Sequence, residues 1–255
     1  QIGGGFTRYA VDVLWKVPHF EKMLYDNAQL FGLYAKAFAE FGQAHYKELV
    51  FQSFDFLERE LLADNGAYYS ALDADSEGEE GKFYCWSKEE IEKVCGKDAE
   101  LAKAYWNINQ LGYWEDEKYI PLKKVDDVFF AQQQNLELEK WLQIKKELIE
   151  LLLSARATRV RPGLDNKILV SWNALMAKGF LEAYRVFGEA AFLLRARKIL
   201  HWIQNEQWKD DTLFRVQTNG QTKIAGFLED YANCIEAFSL AYQCTGELDF
   251  IYFAK

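Results

Sequence analysis

Three prolines in 255 residues, and no Pro- or Ser-rich stretch, leave nothing that reads as a linker, so the chain is expected to be a single domain. Positive charge is in deficit: 30 Lys and Arg stand against 39 Asp and Glu, a net charge of -9. That balance argues against nucleic acid and against an anionic membrane surface as partners, because both reward clustered Lys and Arg. Long apolar runs are missing as well. No uncharged stretch approaches the roughly 20 residues that a bilayer-spanning helix needs, and no signal-peptide pattern precedes Gly3. Cys85, Cys95, Cys234 and Cys244 form no CxxC and sit within or beside helical patterns. They read as buried or bystander thiols of a reducing compartment, which implies a cytoplasmic protein, in preference to a disulfide or a metal site. Histidine is scarce too: His45 and His201 fall in outer-helix patterns, which leaves His19 alone for chemistry.

What the chain does have is a helix opening used three times. Asp26-Asn27-Ala28, Trp172-Asn173-Ala174 and Asp230-Tyr231-Ala232 each begin an amphipathic run that closes fifteen residues later in Phe41-Gly42, Phe187-Gly188 and Thr245-Gly246. Counted from the second residue of each opener, position seven is aromatic every time (Tyr34, Phe180, Phe238), as is position eleven (Phe38, Tyr184, Tyr242), with Ala at ten. Residues seven and eleven apart share one helical face, so each copy is expected to turn the same aromatic stripe to the core. A shift of 146 residues (173 minus 27) also aligns Phe56-Leu57 with Trp202-Ile203 and Glu60 with Glu206, so the repeated unit is an αα-hairpin.

Short extended return segments follow the second helices, at Gly66 to Asp73 and at Leu213 to Gln217, and Gly5 to Asp12 reads as another. The chain thus starts in the tail of one unit and stops at Lys255 partway into an outer helix. A repeat buries its apolar side only against neighbours, so the expectation is a fragment of a larger toroid: an all-α, (α/α) incomplete barrel of about four hairpins with short β-like returns. Those hairpins are placed at 26–62, 88–157, 172–208 and 230–255, with 82–160 as a longer, irregular unit within the single domain. Inside it, Ser87-Lys88-Glu89-Glu90 is a capping box opening a helix that Gly96 closes. Asp98 to Asn107 and Leu136 to Ala157 read as helices, and residues 108–135 as a loop or lid with an extended piece near Lys118 to Leu122.

Chemistry is expected just before the inner helices, where each preceding loop carries carboxylates that converge at one end of such a ring. Asp26, Ser171 and Asp230 suit N-caps, but capping leaves Glu21, Asp165, Lys167 and Glu229 unexplained. The densest polar stretch is Asp73-Ala74-Asp75-Ser76-Glu77-Gly78, whose acids at one, three and five with Gly at six resemble the start of a calcium loop. Position twelve is Tyr84, where a bidentate Glu is needed, and the segment follows an extended piece, so a solvated turn or a cavity-lining loop is preferred and no metal is expected.

The runs Gly3 to Asp12, Val17-Pro18-His19-Phe20-Glu21-Lys22-Met23-Leu24-Tyr25-Asp26-Asn27-Ala28, Ser70 to Tyr84, Arg161-Pro162 with Asp165 and Lys167, Ser171-Trp172-Asn173 and Leu228 to Ala232 together resemble the thioredoxin-domain-containing proteins related to spermatogenesis-associated protein 20. That resemblance implies an N-terminal thioredoxin-like domain, absent from this sequence and covalently linked to it in the full-length protein, followed by a six-hairpin barrel of the glycosidase and sugar-epimerase type. The chain departs from the family pattern at Thr7, often histidine, Asn166, often aspartate, and Ala174, often glycine.

A proton-shuttling epimerase calls for a histidine pair, and Thr7 weakens any mechanism that pairs His19 with a second one. Glycoside hydrolysis needs two carboxylates, and if the domain is an enzyme it is the favoured chemistry. The expected acid and base are Asp73 or Asp75 with Asp165 or Asp230. His19, Glu21, Lys22, Asp26, Glu77, Lys167, Trp172, Asn173, Glu229 and Tyr231 are expected to bind a small-molecule or glycan substrate without a cofactor. The alternative is a non-catalytic glycan- or peptide-binding module that serves the thioredoxin-like domain. The discriminator is whether the named carboxylates stand open or are closed on Lys and Arg.

Overall fold

A glycine just past each of the three repeated runs ends its helix in the same way. In the computed structural model, which describes residues 2–255, Gly42, Gly188 and Gly246 adopt left-handed φ values of 65°, 67° and 73°. Each donates its N–H, at 2.8 Å, to the carbonyl of the aromatic residue at position eleven, Phe38, Tyr184 or Tyr242. Only glycine takes that conformation without a Cβ penalty, so the helix stop is written into the sequence.

In chain order the helices are α1 (Leu24–Phe41), α2 (Ala44–Glu60), α3 (Lys88–Cys95), α4 (Ala99–Tyr105), α5 (Asp127–Gln133), α6 (Leu138–Ala157), α7 (Val170–Phe187), α8 (Ala190–Trp202), α9 (Leu228–Thr245) and α10 (Leu248–Phe253). Short strands join them: β1 (Lys22–Met23), β2 (Ala71–Leu72), β3 (Asp75–Ser76), β4 (Glu79–Glu80), β5 (Leu164–Asp165), β6 (Ile168–Leu169), β7 (Trp208–Lys209), β8 (Thr212–Thr218) and β9 (Gln221–Ala225). The chain forms two compact units: Thr7–Glu21 with Asp73–Gly163 and the first residues to Gly3, and Gly4–Phe6 with Lys22–Leu72 and Leu164–Lys255.

The second unit is the repeat. Its inner helices lie side by side, α1 on α7 and α7 on α9, while α2, α8 and α10 each pack on the helix they follow. This is the (α/α) arrangement that the sequence repeat predicts. Copies one and two are therefore spatial neighbours, although 146 residues separate them. α1 and α7 approach closely because Gly179 carries no Cβ, which would sit 2.6 Å from the Ala28 carbonyl oxygen. Phe180 and Phe238, at position seven, are fully buried. Their counterpart Tyr34 is half-buried and stacks on Phe6 at 5.3 Å. Phe31 meets Phe180 and Phe192 edge-on in this core, with centroids 5.2 and 5.4 Å away.

The helices begin two residues before the expected openers, after Met23, Leu169 and Phe227. Asp26, Ser171 and Asp230 are therefore first-turn residues and not N-caps, and no side chain caps Met23 or Leu169. Of the expected returns, the first forms strand only at Ala71–Leu72, the second runs longer, over Thr212–Thr218, and Gly5 to Asp12 holds a single bridge, Ala10 to Pro18. β2 lies antiparallel between β1 and β5, with Lys22 opposite Leu72 and Ala71 opposite Asp165. β8 pairs with β6, β7 and a partner the periodicity did not reveal, β9.

In the first unit the capping box is present: Ser87 Oγ accepts from Glu90 N–H at 3.1 Å and Glu90 Oε2 from Ser87 N–H at 2.7 Å. The stretch 108–135 is not wholly a loop, because Asp126 Oδ1 accepts from Phe129 N–H at 2.7 Å and so caps α5. The core here is built on Trp86, Tyr105, Phe130 and Trp141. Asp127 sits against it, accepting from Tyr105 Oη at 2.7 Å, Trp141 Nε1 at 2.9 Å and Lys145 Nζ at 2.9 Å. Arg159 closes the unit by donating to the Phe83 and Cys85 carbonyls and to Glu90 while lying 4.0 Å over the Trp86 ring.

Candidate functional site

The first turns of the inner helices hold the return segments. Asn173 and Asn27, at equivalent positions, treat an extended residue as a strand would. Asn173 Oδ1 accepts from Tyr68 N–H at 2.8 Å, and its Nδ2 donates to the Tyr68 and Leu169 carbonyls at 3.0 and 2.9 Å. Asn27 does the same for Phe6, at 2.7 and 3.1 Å, and for Met23, at 2.8 Å. Tyr231, at the third equivalent position, accepts through its hydroxyl from Leu213 N–H at 3.1 Å. Both asparagines are fully buried, so Asn173, expected from the sequence to bind substrate, is engaged by the scaffold as Asn27 is. Lys22 is buried as well, donating to the Gly4 carbonyl at 2.7 Å with its ammonium 4.7 Å over the Phe56 ring.

Three of the second unit's predicted site carboxylates, Asp165, Glu229 and Asp230, are paired with cations. Asp165 on β5 lies 2.8 Å from Lys167, whose N–H it also receives at 3.2 Å. Asp230 has no exposure. Its Oδ2 accepts from Phe227 N–H at 2.8 Å and Arg215 at 2.9 Å, while Glu229 holds the same guanidinium at 2.6 Å. Partial burial opposes the Arg215 charge, but the hydrogen bonds and charges of Glu229 and Asp230 outweigh it and raise its pKa. Asp26 sits half-buried in the first turn of α1, where a negative charge favours the helix N-terminus. Trp172 is half-buried and meets Tyr25 edge-on at 4.9 Å.

In the first unit, His19 stacks on Tyr9 at 4.9 Å and lies 3.9 Å from Glu21, which Arg8 reaches at 3.5 Å. The acidic stretch is a two-residue hairpin. β3 and β4 pair Asp75 with Glu80, and Glu77 and Gly78 turn the chain with φ of 55° and 78°. Asp73 precedes the hairpin, Asp75 lies on its first strand and Glu77 in its turn, all three exposed, and they do not form a group placed to hold a metal ion. Asp73 accepts from Ala74 N–H at 2.7 Å, and Glu77 pairs with Lys82 at 3.4 Å. Gly81 is required where this hairpin passes Phe20, because a Cβ there would stand 2.5 Å from the ring. Among the described residues no group of three or more His, Cys, Asp and Glu is placed to hold a metal ion, and no helix is long and apolar enough to cross a membrane.

The second unit also has a polar cleft of about 280 Å³ that the sequence did not reveal. Asp64, Asn65, Tyr69, Asn166, Glu206, Gln217 and Asn219 are its polar lining. Its residues come from five separated segments, and the one advance signal was Asn219-Gly220, a dipeptide that favours a tight hairpin turn.

No family model matches the chain. Spermatogenesis-associated protein 20 of Rattus norvegicus is 29% identical over 290 aligned residues, covering 100% of this chain and 37% of its own length. The Homo sapiens protein of that name is 30% identical over 284 residues, covering 97% and 36%. The chain thus spans just over a third of the length of the curated relatives it matches. Among solved structures, a sugar epimerase from a ruminal bacterium aligns with 99% of this chain and 78% of its own at 16% identity, with a TM-score of 0.34. From end to end, the sequence is homologous to spermatogenesis-associated protein 20.

Proposed function

We propose that this chain is a carbohydrate-directed helical domain that binds its ligand and leaves it chemically unchanged. The observation that carries the reading is the pairing of the second unit's two candidate catalytic carboxylates: Asp165 with Lys167 at 2.8 Å, and buried Asp230 with Arg215 at 2.9 Å. A glycosidase needs one carboxyl kept protonated and another free as base or nucleophile. Lys167 and Arg215 each hold a carboxylate oxygen in a charge-assisted hydrogen bond that such chemistry would have to break. What stays accessible suits recognition: the Trp172 and Tyr25 rings are half-buried apolar surfaces, and Lys167 and Glu229 are exposed groups able to hydrogen-bond.

A hydrolytic reading retains Asp73 and Asp75, exposed acids with no cation partner among the described residues. Epimerisation retains only His19, because His45 and His201 lie on the outer helices α2 and α8. The greater length of the relatives supports a further domain in the full-length protein, which we take to be thioredoxin-like, and the four free thiols support a cytoplasmic setting. The test is a pair of variants. Asp165→Asn and Lys167→Met should each weaken saccharide binding about 3- to 10-fold, the worth of one or two hydrogen bonds, with the sugar recovered intact. An Asp165→Asn variant that binds as before but abolishes a turnover seen in the parent would refute the binding reading.

A further inference from the structure

The cleft between the Gly66 turn and the β8–β9 hairpin is built more carefully than its size suggests. Its floor is the side chain of Gln217, 6% exposed and fixed at both ends. Asn65 Nδ2 donates to Gln217 Oε1 at 2.7 Å and Trp202 Nε1 to the same oxygen at 3.3 Å, while Gln217 Nε2 donates to Glu206 at 2.8 Å. Glu206 reaches this place from a π-helical turn, Ile203–Gln207, that widens the end of α8, a rare device concentrated at functional sites. At the rim, Asn219 stands in the left-handed turn with φ 50° and accepts from Asn166 Nδ2 at 3.3 Å. Asp64, exposed at the edge, has no partner among the described residues, and Tyr69 places a half-buried ring on one wall.

The lining selects its ligand by what it omits. It holds no Lys or Arg and two carboxylates, so a phosphate or carboxylate ligand would be repelled. It holds four amide side chains: Gln217 Oε1 is taken by Asn65 and Trp202, which leaves Gln217 one N–H, while Asn65, Asn166 and Asn219 keep both donor and acceptor capacity. A hydroxyl group likewise donates and accepts, so a polyhydroxylated ligand matches both functions, whereas an ammonium ligand only donates and would leave the amide N–H groups unmatched. We propose that this cleft seats a neutral polyhydroxylated ring, a monosaccharide unit or cyclic polyol, against Gln217, Asn166, Asn219 and Asp64. The volume of about 280 Å³ lies at the small end of ligand sites and admits one such ring. This inference rests on the carbohydrate reading above and deepens it, naming a cleft whose lining residue Asn166 lies between the paired Asp165 and Lys167.

The test is a ¹⁵N-resolved titration of the chain with glucose, mannose, cellobiose and myo-inositol, with spermidine as a cationic comparison. Saturable shifts are expected in the side-chain amide signals of Asn166, Gln217 and Asn219 with at least one polyol and not with spermidine. Asp64→Ala and Asn166→Ala, both at exposed positions, should each weaken binding about 3- to 10-fold while the dichroism spectrum is unchanged. If a saccharide binds but neither the amide signals nor the two variants respond, the cleft assignment is overturned and the carbohydrate reading stands. If spermidine alone binds, with dependence on Asp64, the cleft is a site of the wrong ligand class and the proposal falls. If no polyol shifts any resonance, the carbohydrate reading fails and this inference fails with it.

Discussion

Removing the Asn173 side chain tests how the repeat holds itself together. Tyr68 is fully buried, and Asn173 supplies the partners of both its backbone groups, at 2.8 and 3.0 Å. Asn173→Ala leaves a buried N–H and a buried C=O without those partners, at about 1–3 kcal/mol each, so a loss of roughly 2–6 kcal/mol is expected. Against a typical domain stability of about 5–15 kcal/mol that is a large share. The repeat supplies its own graded series. Asn27→Ala removes the same set of bonds from Phe6, but Phe6 is half-buried and water can replace part of them, so about 1–3 kcal/mol is expected. Tyr231→Phe removes only the acceptor for Leu213 N–H and should cost about 1–2 kcal/mol. Guanidinium unfolding, followed by dichroism and by tryptophan fluorescence, measures the series, with two-state fits used where the two probes coincide. The exposed helical change Gln29→Ala serves as the control, within about 0.5 kcal/mol of the parent. An Asn173→Ala variant as stable as that control, or less damaged than Tyr231→Phe, would refute the claim that buried first-turn side chains pin the return strands.

Asp127 should make the protein acid-sensitive. Burial alone would raise its pKa, but bonds from Lys145, Tyr105 and Trp141 with the Lys145 charge prevail and bring it from 3.8 to about 2. A depressed folded-state pKa contributes stability that is present above the unfolded value and lost as pH falls from about 4 through about 2, here up to about 2 kcal/mol. Asp127→Asn should flatten that part of the stability-against-pH curve, and an unchanged slope between pH 4 and 2 would contradict the assignment. The thiols should be inert: burial pushes both Cys85 and Cys234 to about 12 and Cys95 to about 11. Alkylation at pH 8 is therefore expected to spare Cys85 and Cys234 in the native protein and to reach both in denaturant, whereas labelling of either at the rate of a free thiol would disprove it.

The repeat was legible because aromatic spacing and terminal glycines are local signals, and the Ser87–Glu90 capping box was legible for the same reason. The helix starts were misplaced by two residues because the chain enters them through Met23, Leu169 and Phe227, apolar residues that carry no capping signature. Helix α5 escaped because a seven-residue run is too short to show a period, and only Asp126 announces it. Asn27 and Asn173 stood out in the sequence, but their role depends on which extended residue lies opposite, and chain spacing does not carry that information. The cleft was illegible for a related reason: Asn65, Asn166 and Gln217 meet only after the returns have paired. Asp73 and Asp75 attracted notice as an acidic cluster, whereas Asp75 lies on the first strand of a two-residue-turn hairpin and Asp73 in the link before it.

Binding without turnover is the central claim, and ligand-observed saturation-transfer NMR on a panel of mono- and disaccharides, with the sugar spectra recorded again after prolonged incubation, tests it most directly. The account predicts saturation transfer to at least one saccharide and anomeric signals identical before and after. New anomeric or epimer signals produced by the protein, or no transfer to any sugar, would contradict it.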